Sequence, residues 1–289
     1  MSYSHEEFAA HPALLSALQN LAAVLRGKFN QNPRLARLLS AHQKWLLTQA
    51  AMALNAEYGD NGFTVAQLRE MVTPLGVASR NTVQNYLDQL ELYRYIEKVH
   101  RVPAVRPKRY RATQISETGI FGWYLANLAA IDGMDNGHRA STLMAHPGLI
   151  EIAHPATARA CLADKEWVEP TPRVGLFLWT EAGGLVMDDF IIRIRDTRDK
   201  RDKVDIGYVD VRAMATTFMM SRTHLQRLLN RAAEQGSVGW IDDTPRSAMW
   251  ISRDYLLEYS RWQARKFKHV EDAFESAKSM LEDRMHIAR

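Results

Sequence analysis

Two nine-residue stretches carry side chains whose types and spacing suit one kind of chemistry. Ser79-Arg80-Asn81-Thr82-Val83-Gln84-Asn85-Tyr86-Leu87 and Ser221-Arg222-Thr223-His224-Leu225-Gln226-Arg227-Leu228-Leu229 both read Ser-Arg-x-x-aliphatic-Gln-x-x-Leu. A Ser followed by apolar residues four apart predicts an N-capped helix, because the hydroxyl accepts a hydrogen bond from an otherwise unpaired N–H of the first turn. Val83, Leu87 and Leu90 in the first copy, with Leu225, Leu229 and Ala232 in the second, fall on one stripe that turns to a core. Left outside are Arg80, Asn81, Thr82, Gln84, Asn85 and Asp88, and in the second copy Arg222, Thr223, His224, Gln226, Arg227, Asn230 and Arg231. Arg pairs with guanine, Asn and Gln with adenine, and Ser or Thr with either, so these groups can read base edges or hold phosphates. Two recognition helices in one chain are expected, with double-stranded DNA as the partner.

Other reactive side chains form weaker patterns. His146-x-x-x-x-Glu151-x-x-His154 has the residue types of a metal site, but His11-Pro12 repeats a His-Pro pair without a matching Glu, so the pairs are read as helix starts. No Gly-rich phosphate loop, metalloprotease helix motif or nucleophile elbow is present, and neither an enzyme nor a cofactor or metal is expected. Cys161 is the only cysteine. It lies in a helical pattern between Ala160 and Leu162 as a small hydrophobe, and its solitude excludes an intrachain disulfide framework and fits a reducing compartment. Trp123, Tyr124, Trp167, Phe177 and Trp179 are assigned to core packing before an effector pocket. No effector is identified.

The elements that must position these residues follow from periodicity. An amphipathic helix is predicted over residues 8 to 30, and a second from Pro33 to about Tyr58. Gly59-Asp60-Asn61-Gly62 is a turn. Thr64 caps a short helix broken by Thr73-Pro74-Leu75-Gly76 before the Ser79 helix, which is the shape of a helix-turn-helix. Tyr93 to Val99 and Ala112 to Ile115 are read as short strands around a basic loop. Between Lys98 and Arg111 stand six Lys or Arg, including Arg101, Arg106, Lys108 and Arg109, and no acid. Cations in such a loop neutralise phosphates and release counterions, which makes affinity salt-dependent. Ser116 or Thr118 is expected to cap the next helix, which ends at a turn over 132 to 137.

The second half repeats the plan. Ala10-His11-Pro12-Ala13-Leu14-Leu15 is echoed by Ala145-His146-Pro147-Gly148-Leu149-Ile150, and Pro33-x-x-Ala36-Arg37 leads to Trp45 as Pro155-x-x-Ala158-Arg159 leads to Trp167. Matches in one order indicate a tandem duplication, with domains 1-135 and 136-289. After Trp167 comes an insert, Val168 to Gly184, read as a loop with a short strand around Phe177. Residues 193 to 203 alternate in sign and are read as a solvated helix end. Asp210 caps the short helix before Ser221. Val238 to Ile241 and Ala248 to Ile251 are strands around a tip that contains Arg246 beside Asp242 and Asp243. A long helix from about Asp254 carries a seam of Phe267, Val270, Phe274, Ala277 and Leu281, which packs on the first helices of its own chain or on a partner helix in a homodimer.

A short helix, the Ser79 helix, a basic hairpin, and Ile115-Ser116-Glu117-Thr118-Gly119 opening another helix resemble the winged helix-turn-helix regulators of the MarR and PadR kind. Ile251-Ser252-Arg253-Asp254-Tyr255 matches the same start without the Gly. The resemblance spans roughly 42 to 130 and 185 to 262. The Asp-x-Arg often found at a MarR wing tip is replaced here by Pro107-Lys108-Arg109, and a MarR chain usually has one such module. It implies a mainly α fold with small β-hairpins (α+β), two tandem winged helix-turn-helix domains joined by helices, and a sequence-specific transcription regulator. A plasmid-type replication initiator and a winged-helix interaction scaffold are the alternatives.

Composition agrees with these classes. The 289 residues, 24% charged and 46% hydrophobic, suffice for two globular cores, and a net charge of +4 permits a nucleic-acid partner. No run approaches a membrane span, and the N-terminus lacks a signal-peptide pattern, so no membrane association and a cytoplasmic, nucleoid-associated setting are expected.

Overall fold

The computed structural model describes residues 3–31, 33, 37, 40–99, 107–196, 198, 201–242 and 248–287, side chains of 284–287 excepted. The chain is mainly helical with two small three-stranded antiparallel sheets. In order, the elements are α1 (His5–Ala10), α2 (Leu14–Gln31), α3 (His42–Tyr58), β1 (Phe63–Thr64), α4 (Val65–Val72), α5 (Arg80–Leu92), β2 (Ile96–Lys98), β3 (Arg109–Ala112), α6 (Gln114–Asp135), α7 (Arg139–Ala145), α8 (Ile150–Ala163) and α9 (Lys165–Val168). There follow α10 (Pro172–Leu178), α11 (Gly183–Arg193), β4 (Lys203–Gly207), α12 (Val211–Thr217), α13 (Arg222–Glu234), β5 (Val238–Trp240), β6 (Met249–Ser252) and α14 (Arg253–Ile287). The sheets have orders β1-β3-β2 and β4-β6-β5, with the last strand central in each.

Packing divides the chain into two compact units, each discontinuous in sequence. The first holds residues 43–168 and 266–289, and the second holds 3–42 and 169–265. Sequence halves and packing units are thus different divisions of the chain. In the first unit α3, α6, α8 and the end of α14 bury Leu46, Leu47, Ala50, Leu128, Ile131, Phe267, Val270 and Phe274. The Tyr124 hydroxyl donates to the Val270 carbonyl at 3.0 Å, and Asn55 Oδ1 accepts the β3 amide of Ala112 at 2.7 Å. Arg139 gathers Asp132, Asp135 and Glu271 at 3.1, 2.8 and 2.6 Å. Glu271 is fully buried, so the guanidinium supplies the charge that its carboxylate needs away from water.

In the second unit the Gln19 amide donates to the carbonyls of Ile192 and Ile194 at 3.1 and 2.6 Å, filling acceptors that the end of α11 leaves open. Arg26 lies over the Phe218 ring at 4.2 Å, and Phe177 packs on Phe190 and Tyr255. A Cβ at Gly183 would stand 1.9 Å from the Phe177 carbonyl oxygen, so only glycine lets α10 and α11 approach there.

Several sequence expectations need correction. His11 and Pro12 break the first helix into α1 and α2. The N-cap of α6 is Thr113, not Ser116 or Thr118, and no side chain accepts an amide of its first turn: the Thr113 and Ser116 hydroxyls donate to the backbone carbonyls of Arg94 and Tyr95, tying the helix start to the turn before β2. The return strand β3 lies at 109–112, ahead of the expected position, because Tyr110 and Ala112 bury on alternate positions. Residues 132–135 are the last turn of α6, which ends at Asn136 in the left-handed region, φ 57°. The insert forms helix α10, not a strand at Phe177, since Pro172 sits where its missing N–H costs no hydrogen bond. Helix α11 ends at Arg193, so residues 193–203 are not a solvated helix end, and residues 203–207 form β4 with Val204 and Ile206 buried. The α14 seam residues Phe267, Val270, Phe274 and Ala277 are fully buried in the chain itself, which removes that seam as a face for a partner helix.

Candidate nucleic-acid interface

Helix α5 opens as its sequence dictates. The Ser79 hydroxyl accepts the Thr82 amide at 3.2 Å and lies 2.8 Å from the Thr82 hydroxyl. Val83, Tyr86, Leu87 and Leu90 are buried, and Tyr86 shares a short hydrogen bond with Thr48 of α3. With one side so anchored, a 3.6-residue repeat puts Asn81, Asn85, Asp88 and Leu92 on the opposite ridge, and all four are exposed. Arg80 is exposed at the flank. Gln84, half-buried, donates its amide to Asp88 Oδ1 at 2.9 Å.

Helix α13 is built alike and charged differently. Ser221 accepts the His224 amide at 3.1 Å, and Leu225, Leu228, Leu229 and Ala232 are buried. The outer ridge is Thr223, Arg227, Asn230 and Glu234, with Arg222 on one flank and His224 and Arg231 on the other, all exposed. Gln226 donates to Asn230 Oδ1 at 3.0 Å, as Gln84 does to Asp88. Where α5 has Asn85, Asp88 and Gln89, α13 has Arg227, Asn230 and Arg231. No ion pair engages Arg222, Arg227 or Arg231 among the described residues, so their guanidiniums face water.

Three of the four described cations of the first hairpin are engaged by neighbours. Lys98 pairs with Glu91 at 2.5 Å, Arg111 with Glu97 at 2.6 Å, and Arg109 donates to the Gly62 carbonyl at 2.8 Å. Lys108 is exposed and has no ion pair among the described residues. Arg101, Arg106 and Arg246 lie outside the described residues. In the second sheet a cation that sequence reasoning missed comes forward: the Lys203 ammonium sits over the Trp250 ring at 4.4 Å. That indole crosses β5 because residue 239 is glycine, where a Cβ would meet it at 2.3 Å. The alternation of Val204 and Ile206 was the available signal for this strand.

No family model, curated protein or solved structure matches the chain. Its own side chains are therefore the guide to its chemistry. His146 and Glu151 are exposed and His154 is buried, so the three do not share one environment. The pair His154-Pro155 lies inside α8, not at its start. His154 Nε2 lies 2.8 Å from Gln49 Oε1, an acceptor, and burial lowers its pKa from 6.5 to about 4. Cys161 is fully buried, and burial pushes its thiol up, away from the reactive thiolate. Tyr124, Trp167 and Phe177 are core residues. Trp179 is not, being 50% exposed. No helix among the described residues is long and apolar enough to cross a membrane.

Proposed function

We propose that the chain is a sequence-specific transcription regulator that binds double-stranded DNA through two winged helix-turn-helix modules derived by duplication. The observation that carries this reading is the outer side of α13, where Arg222, Thr223, Arg227 and Asn230 are exposed and neither arginine has an ion pair among the described residues. Arginines so placed take phosphates or guanine edges, while Asn81, Asn85 and Asn230 offer the paired donor and acceptor that adenine presents in the major groove. Asp88 accepts from cytosine N4. Each Gln is held by a neighbour four residues on, which fixes its amide before DNA arrives.

Support for duplication comes from shared element order. Each copy runs strand, short helix, Ser-capped helix, hairpin and helix, and the sheet orders correspond. Two modules in one chain do the work of two subunits, so the preferred DNA is bipartite, with half-sites about one helical turn or ~34 Å apart. Genome-wide immunoprecipitation of the chain with its bound DNA tests the reading. Peaks at promoters are expected. A lone cluster at a replication origin would assign it to initiation, and an absence of peaks would leave an interaction scaffold.

A further inference from the structure

The two Ser-capped helices share one internal contact and differ in what that contact leaves over. In α5 the Gln84 amide donates to Asp88 Oδ1 at 2.9 Å, and in α13 the Gln226 amide donates to Asn230 Oδ1 at 3.0 Å. Asp88 and Asn230 hold the same place in the two copies of the motif, and both are exposed. A carboxylate can only accept, so the bond leaves Asp88 with a second bare oxygen and no donor. Asn230 has its oxygen occupied by Gln226, which leaves its NH2 as the available group, with two donors. Matched positions on matched scaffolds thus carry opposite hydrogen-bonding sense. Arg227, one turn before Asn230, adds further donors where α5 has the amide of Asn85.

We propose that Asp88 and Asn230 make the two half-sites unlike, so that the chain recognises a composite duplex sequence and not a palindrome or a direct repeat. This deepens the DNA-binding reading above and rests on it. In the major groove cytosine shows only its N4 amino donor, guanine shows the N7 and O6 acceptors, thymine the O4 acceptor, and adenine one group of each kind. Asp88 therefore takes cytosine, or adenine through N6, and stands acceptor to acceptor against guanine and thymine. Asn230 takes any base with an acceptor and has nothing to donate to on cytosine. Cytosine is thus the best base for one helix and the worst for the other. A polar group desolvated at the contact without a partner is penalised, so each helix rejects the wrong base as well as attracting the right one. A repeated half-site, which presents one base to both positions, leaves one of the helices mismatched.

The test is selection from a randomised duplex library by the full chain and by two isosteric variants at these exposed positions, Asp88→Asn and Asn230→Asp. Each variant keeps the oxygen to which its Gln donates, so the contact within the helix survives and only the outward hydrogen-bonding sense changes. The wild type is expected to enrich two unlike half-sites, with cytosine or adenine at one matched position and any base but cytosine at the other. Asp88→Asn should convert only the first position to the preference of the second, and Asn230→Asp only the second to that of the first. In anisotropy titrations on the selected duplex, placing guanine where the base meets Asp88 should weaken wild-type binding about tenfold or more, and Asp88→Asn should recover most of that loss. Two identical half-sites, or motifs that neither variant changes, would overturn the inference and leave the DNA-binding reading in place. No enrichment at all would sink that reading and the inference with it.

Discussion

The two polar ridges differ at single residues, and those residues divide the labour. Arg227 stands where α5 has Asn85 and Asn230 where it has Asp88, so on the proposed DNA-binding reading α13 attracts phosphates while α5 presents amides and a carboxylate. Arg227→Ala is expected to weaken binding to every duplex and to reduce the slope of log K against log salt by about 1. Lys108→Ala should act in the same direction. Asn81→Ala or Gln84→Ala should instead cost about 1 to 3 kcal/mol on the preferred site and relax specificity there. Anisotropy titrations at several salt concentrations separate the two behaviours. His154 gives a prediction of another kind. Its folded pKa, about 4, lies below the 6.5 of an unfolded histidine, so its contribution is present above pH 6.5 and is lost as pH falls toward 4. The loss amounts to about 3 kcal/mol across that window. His154→Gln should flatten the slope of unfolding free energy between pH 6.5 and 4, and an unchanged slope would contradict the burial argument.

At the scale of elements, the caps and the buried ion cluster set what can be removed. Ser79→Ala or Ser221→Ala should destabilise the protein by about 1 kcal/mol, because one amide of the first turn loses its acceptor. Arg139→Met should cost more, about 3 to 5 kcal/mol by denaturant titration, since it strands the buried Glu271 carboxylate without its cation. Both helices that carry the ridges were legible in the sequence, cap and apolar stripe included, as were the Asp210 cap and the strands β5 and β6. Their signals are local. The two residues of β1 leave no periodic signal, and β4 was passed over despite the alternation of Val204 and Ile206 because it follows the charged run from Arg193 to Lys203. The insert was misread because Phe177 and its apolar neighbours fit a strand or a helix equally. What favours the helix is Pro172 at its first turn, and Gly183, whose missing side chain lets α11 fold back on α10, accommodates it.

At the scale of the molecule, the sharing of segments between units was not legible in the sequence. Residues 3–42 precede the first ridge in the chain but pack in the unit that holds the second, and residues 139–168 precede the second but pack in the unit that holds the first. Helix α14 contributes its beginning to one unit and its end to the other. Long-range sharing of this kind leaves no trace in periodicity, which reports only which face of a segment is buried and not by what. A consequence is that each unit needs segments from both halves of the sequence. The net charge of +4 is modest, so on the proposed reading affinity for DNA rests on where cations stand more than on how many there are. The most direct test of the central claim is selection of binding sites by the purified chain from a randomised duplex library. Enrichment of a two-part motif, lost at one part when Asn81 and Asn85 are changed to Ala and at the other when Thr223 and Arg227 are, is the predicted result. Recovery of unenriched sequence after repeated rounds would contradict it.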